Sequence, residues 1–230
     1  MIDEDLLAQI TPGKIEHAAY SLIKAYEESD LKQTPMTMGR IAQELLGYRI
    51  AQGHREWFSS HDYLGGISFD EKIIFVSPNA KFNNGRYDFT IAHEIGHHIL
   101  HRPLFEQADQ LDETIFCYHE KYKTELEQQA DSFAAALLMP RKLLAKALIL
   151  KKRTRPVISL RAALTVAQRV RQECGITHIS RSAIVNRLKD LGYIAENIPQ
   201  QHDQAWRKSS DLGLWGVAKR RVERLLARFT

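Results

Sequence analysis

The chain has 230 residues, of which 44% are hydrophobic and 26% charged, and this balance is typical of a globular protein rather than a disordered one. Its two cysteines, Cys117 and Cys174, are far apart, which argues against a disulfide framework and against a cysteine metal site. The net charge of +4 permits contact with nucleic acid without requiring it. With no signal-peptide pattern and no apolar run of about 20 residues, we expect a cytoplasmic protein that does not associate with a membrane.

Two amphipathic helices are predicted ahead of the first strand. Residues 14 to 28 carry apolar side chains at helical spacing, and Thr11 followed by Pro12 resembles an N-cap with proline at the first helical position. A second helix is predicted over residues 38 to 46, where Gly47 supplies the C-terminal stop.

The next stretch predicts a small antiparallel sheet. A strand is expected to begin at residues 48 to 51, and residues 63 to 69 and 73 to 76 predict a hairpin joined at residues 70 to 72. The edge of this hairpin could hold an extended peptide by strand addition. Alternatively, the hairpin could only cover the core, and the sequence leaves both interpretations open.

The central feature of the sequence is His93-Glu94-x-x-His97, which lies within a predicted helix. Residues four apart share one face of a helix, so both imidazoles can bind one metal ion while Glu94 lies beside the same site. Two neutral histidines suit zinc, and the adjacent carboxylate can accept a proton from a zinc-bound water. Gly96, which costs about 1 kcal/mol in a helix interior, predicts the close approach of another backbone, and Pro103 is the expected end of the helix.

The residues after this motif are less informative. His98 and His101 are expected to be surface or supporting residues, because His101 should point along the helix away from the metal. Residues 102 to 123 are acidic and predict a loop with short helical pieces. Side chains here that could stabilise a developing oxyanion are Tyr118, His119 and Tyr122, and the sequence does not choose among them.

A helix predicted from residue 124 to 139 offers a third metal ligand. Glu127 and Asp131 are four apart and share a face, and two histidines with one glutamate form a recognised catalytic zinc arrangement. Asp131 could then accept a hydrogen bond from the free ring nitrogen of a ligating histidine. Two alternatives stay open: Thr124 and Glu127 form a capping box that would use the carboxylate locally, and Glu125 is a rival ligand.

The last third predicts a linker and a helical module. Residues 141 to 155 are rich in Lys and Arg and predict a solvated helix end and linker. Helices over residues 164 to 172 and 180 to 191, with a glycine-containing turn between them, have the outline of a helix-turn-helix. Side chains that could meet DNA are Arg181, Asn186, Arg187 and Lys189. We favour a helical packing module with a solvated basic face over a strong DNA-binding module.

Two sequence blocks together resemble the ImmA/IrrE family of zinc metallopeptidases. They read Phe89-Thr-Ile-Ala-His-Glu-Ile-Gly-His-His-Ile-Leu-His and, about thirty residues on, Glu127-x-x-Ala-Asp-x-Phe-Ala-x-x-Leu-Leu-Met-Pro. The resemblance, which covers roughly residues 15 to 194, implies that His93, His97 and Glu127 hold zinc and that Glu94 is the general base. Many members carry Asn at the position of Asp131, which leaves the ligands unaffected.

The resemblance also implies an α+β fold and a protein substrate. We expect a mainly helical, zincin-like metallopeptidase core with a small antiparallel sheet over residues 1–150. A helix-turn-helix-like helical module over residues 151–195 and a tail over 196–230 should follow it, and the tail should contain a helix near 217–229. Family members cleave helix-turn-helix repressors and so relieve repression in stress, DNA damage or mobile-element induction. The alternative is a DNA-binding or toxin–antitoxin-type regulator whose metal site is structural or vestigial.

Overall fold

The computed structural model describes residues 4–33, 35–52, 63–80, 84–107, 114–118, 125–149 and 159–195. The helix predicted near 217–229 and the capping residue Thr124 therefore lie outside the described residues, as do His119 and Tyr122. Within the described ranges, helices pack beside one small sheet, which confirms the α+β class. Every helix there is too short or too polar to span a lipid bilayer.

The chain enters the fold through three helical segments. Helix α1 covers Glu4–Ala8, and α2 covers Pro12–Glu28 and is capped by the Thr11 hydroxyl, which accepts a hydrogen bond from the Lys14 backbone N–H. Helix α3, Met38–Arg40, continues as a π-helical turn over Ile41–Leu45. Gly47 then takes a left-handed φ of 75°, which ends this segment as predicted.

The sheet has four strands in the order β1-β3-β2-β4, namely β1 Arg49–Gln52, β2 Tyr63–Ser68, β3 Ile73–Val76 and β4 Thr114–Tyr118. Strands β2 and β3 form the predicted hairpin, and β4 pairs antiparallel to the other side of β2. Strand β1 pairs parallel to β3, so the sheet is mixed, and the expected antiparallel pairing holds for β2, β3 and β4 but not for β1. The reason is topological, because β1 pairs with the second strand of the hairpin instead of with its sequence neighbour.

One continuous helical segment follows the sheet. It consists of α4, Asn84–Gly96, a π-helical turn over His97–His101, and α5, Arg102–Gln107. Pro103 therefore does not end the helix, contrary to the prediction. In an α-helix, the proline ring clashes with the carbonyl group four residues earlier. The wider π turn directly before Pro103 changes the position of that carbonyl relative to the ring.

The main core lies between α2, α4, the sheet and helix α6, Glu125–Leu138. Helix α6 presents an apolar stripe that packs against both α2 and α4. Its fully buried side chains include Phe133, Ala134 and Leu137, which belong to the same core cluster as Ile91 and Ile95 of α4. This packing brings α6 alongside the helix that carries the two-histidine motif.

A second core is built by three further helices: α7 Arg141–Ile149, α8 Leu160–Glu173 and α9 Arg181–Asp190. Serine caps begin two of them, since the Ser159 and Ser180 hydroxyls accept hydrogen bonds from backbone N–H groups three residues on. Residues 141–149 were predicted to be solvated, yet Leu144 and Ala147 are buried in this core. The domain boundary at residue 150 stays a prediction. Helix α7 lies before this boundary, yet it packs in the second core.

Arg187 joins the second core to the first. It lies on α9 with only 4% of its surface exposed, and its Nε donates to the Met139 carbonyl at 3.2 Å. Its guanidinium also pairs with Glu16 of α2. This position removes Arg187 from the side chains that were expected to reach DNA.

Arg187→Ala is expected to lower the free energy of unfolding by about 2–3 kcal/mol, because hydrogen bonds to a charged group contribute about 1.5–3 kcal/mol. Asn186→Ala is the matched control, since the neighbouring Asn186 is exposed, and it should change stability by no more than about 0.5 kcal/mol. Urea denaturation of both variants measures the difference. Equal stability of the two variants would contradict the structural role of Arg187.

Candidate metal centre

The two histidines of the motif lie on one buried face of the central helix. His93 and His97 are four positions apart on α4 and the start of the π turn, and their exposed fractions are 5% and 0%. Their Nε2 atoms are 3.1 Å apart, so both rings offer a nitrogen to the same point. The two nitrogens lie close together because residues four positions apart share one face of a helix.

Helix α6 supplies the third group. Glu127 is 5% exposed, and its two carboxylate oxygens lie 3.3 Å from His93 Nε2 and 3.3 Å from His97 Nε2. The rival ligand Glu125 is exposed on the same helix, and its carboxylate lies 3.3 Å from Gln129 Nε2. The structure thus places Glu127, and not Glu125, between the two histidines.

Gly96 explains how the two helices come so close. A Cβ atom built on Gly96 would lie 3.2 Å from both Cα and O of Ala130 on α6. The close approach of another backbone that was predicted for Gly96 is therefore confirmed. Since Ala130 lies between Glu127 and Asp131 in sequence, this contact holds both carboxylates against the histidine helix.

The three groups fit a metal ion. Their ligand atoms all lie within 4.8 Å of one another. Ligand atoms about 2.0–2.1 Å from a tetrahedral metal ion lie roughly 3.3 Å from one another. The measured separations of 3.1–3.3 Å match that value, so His93, His97 and Glu127 could hold an ion with little rearrangement.

The carboxylates around His93 set the charges of the cluster. Asp131 Oδ1 lies 2.9 Å from His93 Nδ1, the ring nitrogen that faces away from the cluster. Burial alone lowers the pKa of His93, but the hydrogen bonds to Asp131 and Glu127 outweigh it and raise that pKa to about 10. Burial likewise would raise the pKa of Glu127, but its close contacts with the His93 and His97 rings outweigh burial and lower that pKa to about 2. For His97, burial prevails and lowers the pKa.

Glu94 lies next to the cluster and is fully buried. Its negative charge contributes to the raised pKa of His93. Strand β2 passes directly in front of it: a Cβ on Gly65 would lie 2.9 Å from Glu94 Oε1 and 2.6 Å from Thr90 Cγ2. Gly65 is thus the residue that lets the strand approach the carboxylate, and sequence reasoning missed it because a glycine in a strand carries no chemical signal of its own.

The two extra histidines differ in environment. His98 is half-buried, and its Nδ1 lies 2.9 Å from the Tyr48 hydroxyl. His101 is fully buried, and its Nδ1 lies 3.0 Å from His97 Nδ1, the ring nitrogen opposite the cluster, so of the two expected positions it takes the supporting one and not the surface one. The repeated spacing of four from His93 to His97 to His101 was the available signal. Of the three candidate oxyanion donors, Tyr118 lies in β4, and its side chain lies outside the described part of the structure along with the other two.

Metal binding is expected to release about one proton at neutral pH. His93 is cationic in the metal-free protein below its pKa of about 10 and must be neutral to bind a metal, whereas His97 and Glu127 already have the required charge. The proton on His93 therefore competes less with the metal as pH rises. The metal affinity should increase about tenfold per pH unit from pH 6.5 to 8.5. Competition titrations with a chromophoric chelator measure this slope. An affinity that stays constant over this range would show that His93 is already neutral.

Comparison with known proteins supports a peptidase family. The Peptidase_M78 family, the IrrE N-terminal-like domain, matches residues 51–175, which is just over half of the chain and includes the whole cluster. The chain is also similar to the "Uncharacterized immunity region protein 2" of Bacillus phage phi105. The two are 30% identical over 121 residues, which are 53% of this chain and 70% of that protein. The chain therefore belongs to the IrrE N-terminal-like family of peptidases, within which its buried cluster of two histidines and a glutamate is a candidate metal centre.

Proposed function

We propose that the protein is a zinc-dependent endopeptidase that cleaves a helix-turn-helix transcriptional repressor. The observation that carries this proposal is the buried cluster of His93, His97 and Glu127 with Glu94 beside it, in a chain of a peptidase family. A structural metal site would need the three ligands but not a fourth buried carboxylate at its edge. The position of Glu94 therefore favours a catalytic site.

Zinc is the metal that this donor set suits best. Two imidazole nitrogens and one carboxylate, with a fourth position left for water, are a donor set of zinc peptidases. When bound, the ion would supply Lewis-acid activation of water and of the scissile carbonyl. Asp131 would hold the imidazole of His93 by accepting from Nδ1–H, so that Nε2 faces the ion.

Glu94 performs the proton transfers in this proposal. Its carboxylate takes a proton from the attacking water and passes it to the leaving amine of the cleaved peptide bond. Burial beside the cluster suits this role, because the group is held close to the reacting atoms and away from bulk water. Glu94 is one position from His93, so it is rotated off the ligand face and does not compete for the metal.

The substrate class rests on resemblance. The ImmA/IrrE resemblance implies cleavage of a helix-turn-helix repressor to relieve repression in stress, DNA damage or mobile-element induction. The similar phage protein is named as an immunity region protein, which supports a regulatory role in a phage or mobile-element locus. A repressor substrate would place the reaction in the cytoplasm.

Incubation of the zinc-loaded protein with the helix-turn-helix repressor encoded nearest to it tests this proposal. Mass spectrometry should find two complementary repressor fragments, which disappear when zinc is chelated and return when zinc is added back. Fragments that persist in the chelated sample would exclude a metal-dependent cleavage. An intact repressor with the zinc-loaded protein would contradict the proposed substrate.

A further inference from the structure

A line of hydrogen bonds runs from the back of the cluster to the N-terminal helix. His97 Nδ1 lies 3.0 Å from His101 Nδ1, and His101 Nε2 lies 3.0 Å from Gln129 Oε1. Gln129 Nε2 in turn lies 3.2 Å from the Leu7 carbonyl oxygen of α1 and 3.3 Å from the Glu125 carboxylate. The side chains of His97, His101 and Gln129 are all buried.

The far end of this line determines the orientation of the Gln129 amide. A backbone carbonyl and a carboxylate only accept hydrogen bonds, so the group that faces Leu7 and Glu125 must be the NH₂. The amide oxygen therefore faces His101. Because this oxygen only accepts, the proton between the two side chains lies on His101 Nε2.

The burial of His101 determines which of its ring nitrogens faces His97 with a lone pair. Complete burial disfavours a cationic His101, so a proton on its Nε2 leaves a lone pair on Nδ1. That lone pair faces His97 Nδ1 and accepts a hydrogen bond from it. His97 then carries its proton on Nδ1 and keeps the lone pair on Nε2, the atom that lies 3.1 Å from His93 Nε2 and 3.3 Å from Glu127.

The π-helical turn contributes to this arrangement. It spans His97–His101, and its characteristic bond runs from the Arg102 N–H to the His97 carbonyl. His97 and His101 are the first and last residues of this turn, and residues four apart on a helix share a face. Isolated π turns are rare and are frequently found at functional sites.

We propose that His101 and Gln129 are positioning residues, which fix His97 in the tautomer whose Nε2 is available to the metal. This inference rests on the proposed metal site. The two ligating histidines are held differently: His93 by the Asp131 carboxylate, and His97 by a neutral relay that ends on the backbone of α1. Outer partners of this kind typically contribute about 10–100-fold to metal affinity.

Two matched substitutions of His101 test the relay in the full-length chain. His101→Asn keeps an oxygen near the position of Nδ1 and can still accept from His97, whereas His101→Leu has a similar shape and cannot accept. Zinc affinity, measured by competition with a chromophoric chelator, should fall about 10–100-fold in His101→Leu and much less in His101→Asn. Equal losses in both variants would show that His101 only fills space, and wild-type affinity in His101→Leu would overturn the proposal.

The protonation state of His97 is a readout that does not depend on metal or on activity. Long-range ¹⁵N–¹H NMR spectra of the metal-free wild-type protein should show the His97 proton on Nδ1 and an unprotonated Nε2. A proton on Nε2 would overturn the relay even if every variant folds poorly. If the wild-type protein binds no zinc but shows this tautomer, the proposed function fails while the relay stands.

Discussion

Replacing Glu94 with Gln is expected to leave zinc binding intact and to slow cleavage of the repressor by about 10²–10⁴-fold, the usual contribution of general acid–base catalysis. Gln has nearly the same shape as Glu, so the buried contact with Gly65 on β2 should persist. The variant lacks only the carboxylate that accepts and returns the proton. Zinc binding should be retained because the three groups that could hold the ion, His93, His97 and Glu127, are unchanged.

The experiment compares single-turnover cleavage rates at equal zinc content. Glu106→Gln on α5 is the matched control, since it makes the same chemical change at a carboxylate whose side chain is 45% exposed and pairs with Arg102. It should cleave at the wild-type rate. A Glu94→Gln protein that cuts the repressor as fast as the wild type would refute the proposed role of Glu94.

Replacing Glu127 with Ala is expected to weaken zinc binding by more than about 100-fold, since it removes a ligand rather than an outer partner. Glu127 lies 3.3 Å from the Nε2 atoms of both His93 and His97. Its loss also leaves His93 and His97 without the carboxylate that balances a bound cation. His97→Ala should cause a loss of the same order.

Glu125→Ala is the matched control, because it removes the other carboxylate from the first turn of α6. Its side chain is exposed and reaches only the outer end of the relay through Gln129, so zinc affinity should fall by less than about tenfold. Metal titration of the two variants under the same conditions decides between them. A larger loss of zinc affinity in Glu125→Ala than in Glu127→Ala would show that Glu127 is a helix-capping residue and not a metal ligand.

The parts of the site that local spacing determines could be predicted from the sequence. His93 and His97 share a face because they are four apart on a helix, and Gly96 indicated the close approach of another backbone, which the structure identifies as α6. The choice of Glu127 over Glu125 needed more than spacing, because both lie in the first turn of α6. Burial of Glu127 between the histidines depends on how α6 packs against α4, which is a tertiary property.

The features that were missed depend on long-range contacts or on departures from ideal geometry. Strand β4 was predicted to be a loop because its surroundings are acidic, and it is ordered by pairing with β2. The burial of His101 could not be read from its spacing alone, because it depends on the contact with Gln129 of helix α6. Arg187 was expected to face solvent because of its charge, and a carboxylate of α2 with the carbonyl of Met139, just after α6, compensates that charge in the interior.

The most direct test of the account is the coordination of zinc in the intact protein. We predict one zinc ion per chain. X-ray absorption at the zinc edge should show two imidazole nitrogens and oxygen ligands at about 2.0–2.1 Å, without a sulfur scatterer near 2.3 Å. The imidazole signal should fall in His97→Ala. A sulfur-containing shell, or the absence of stoichiometric zinc in wild-type protein under conditions where it is folded, would contradict the metal centre.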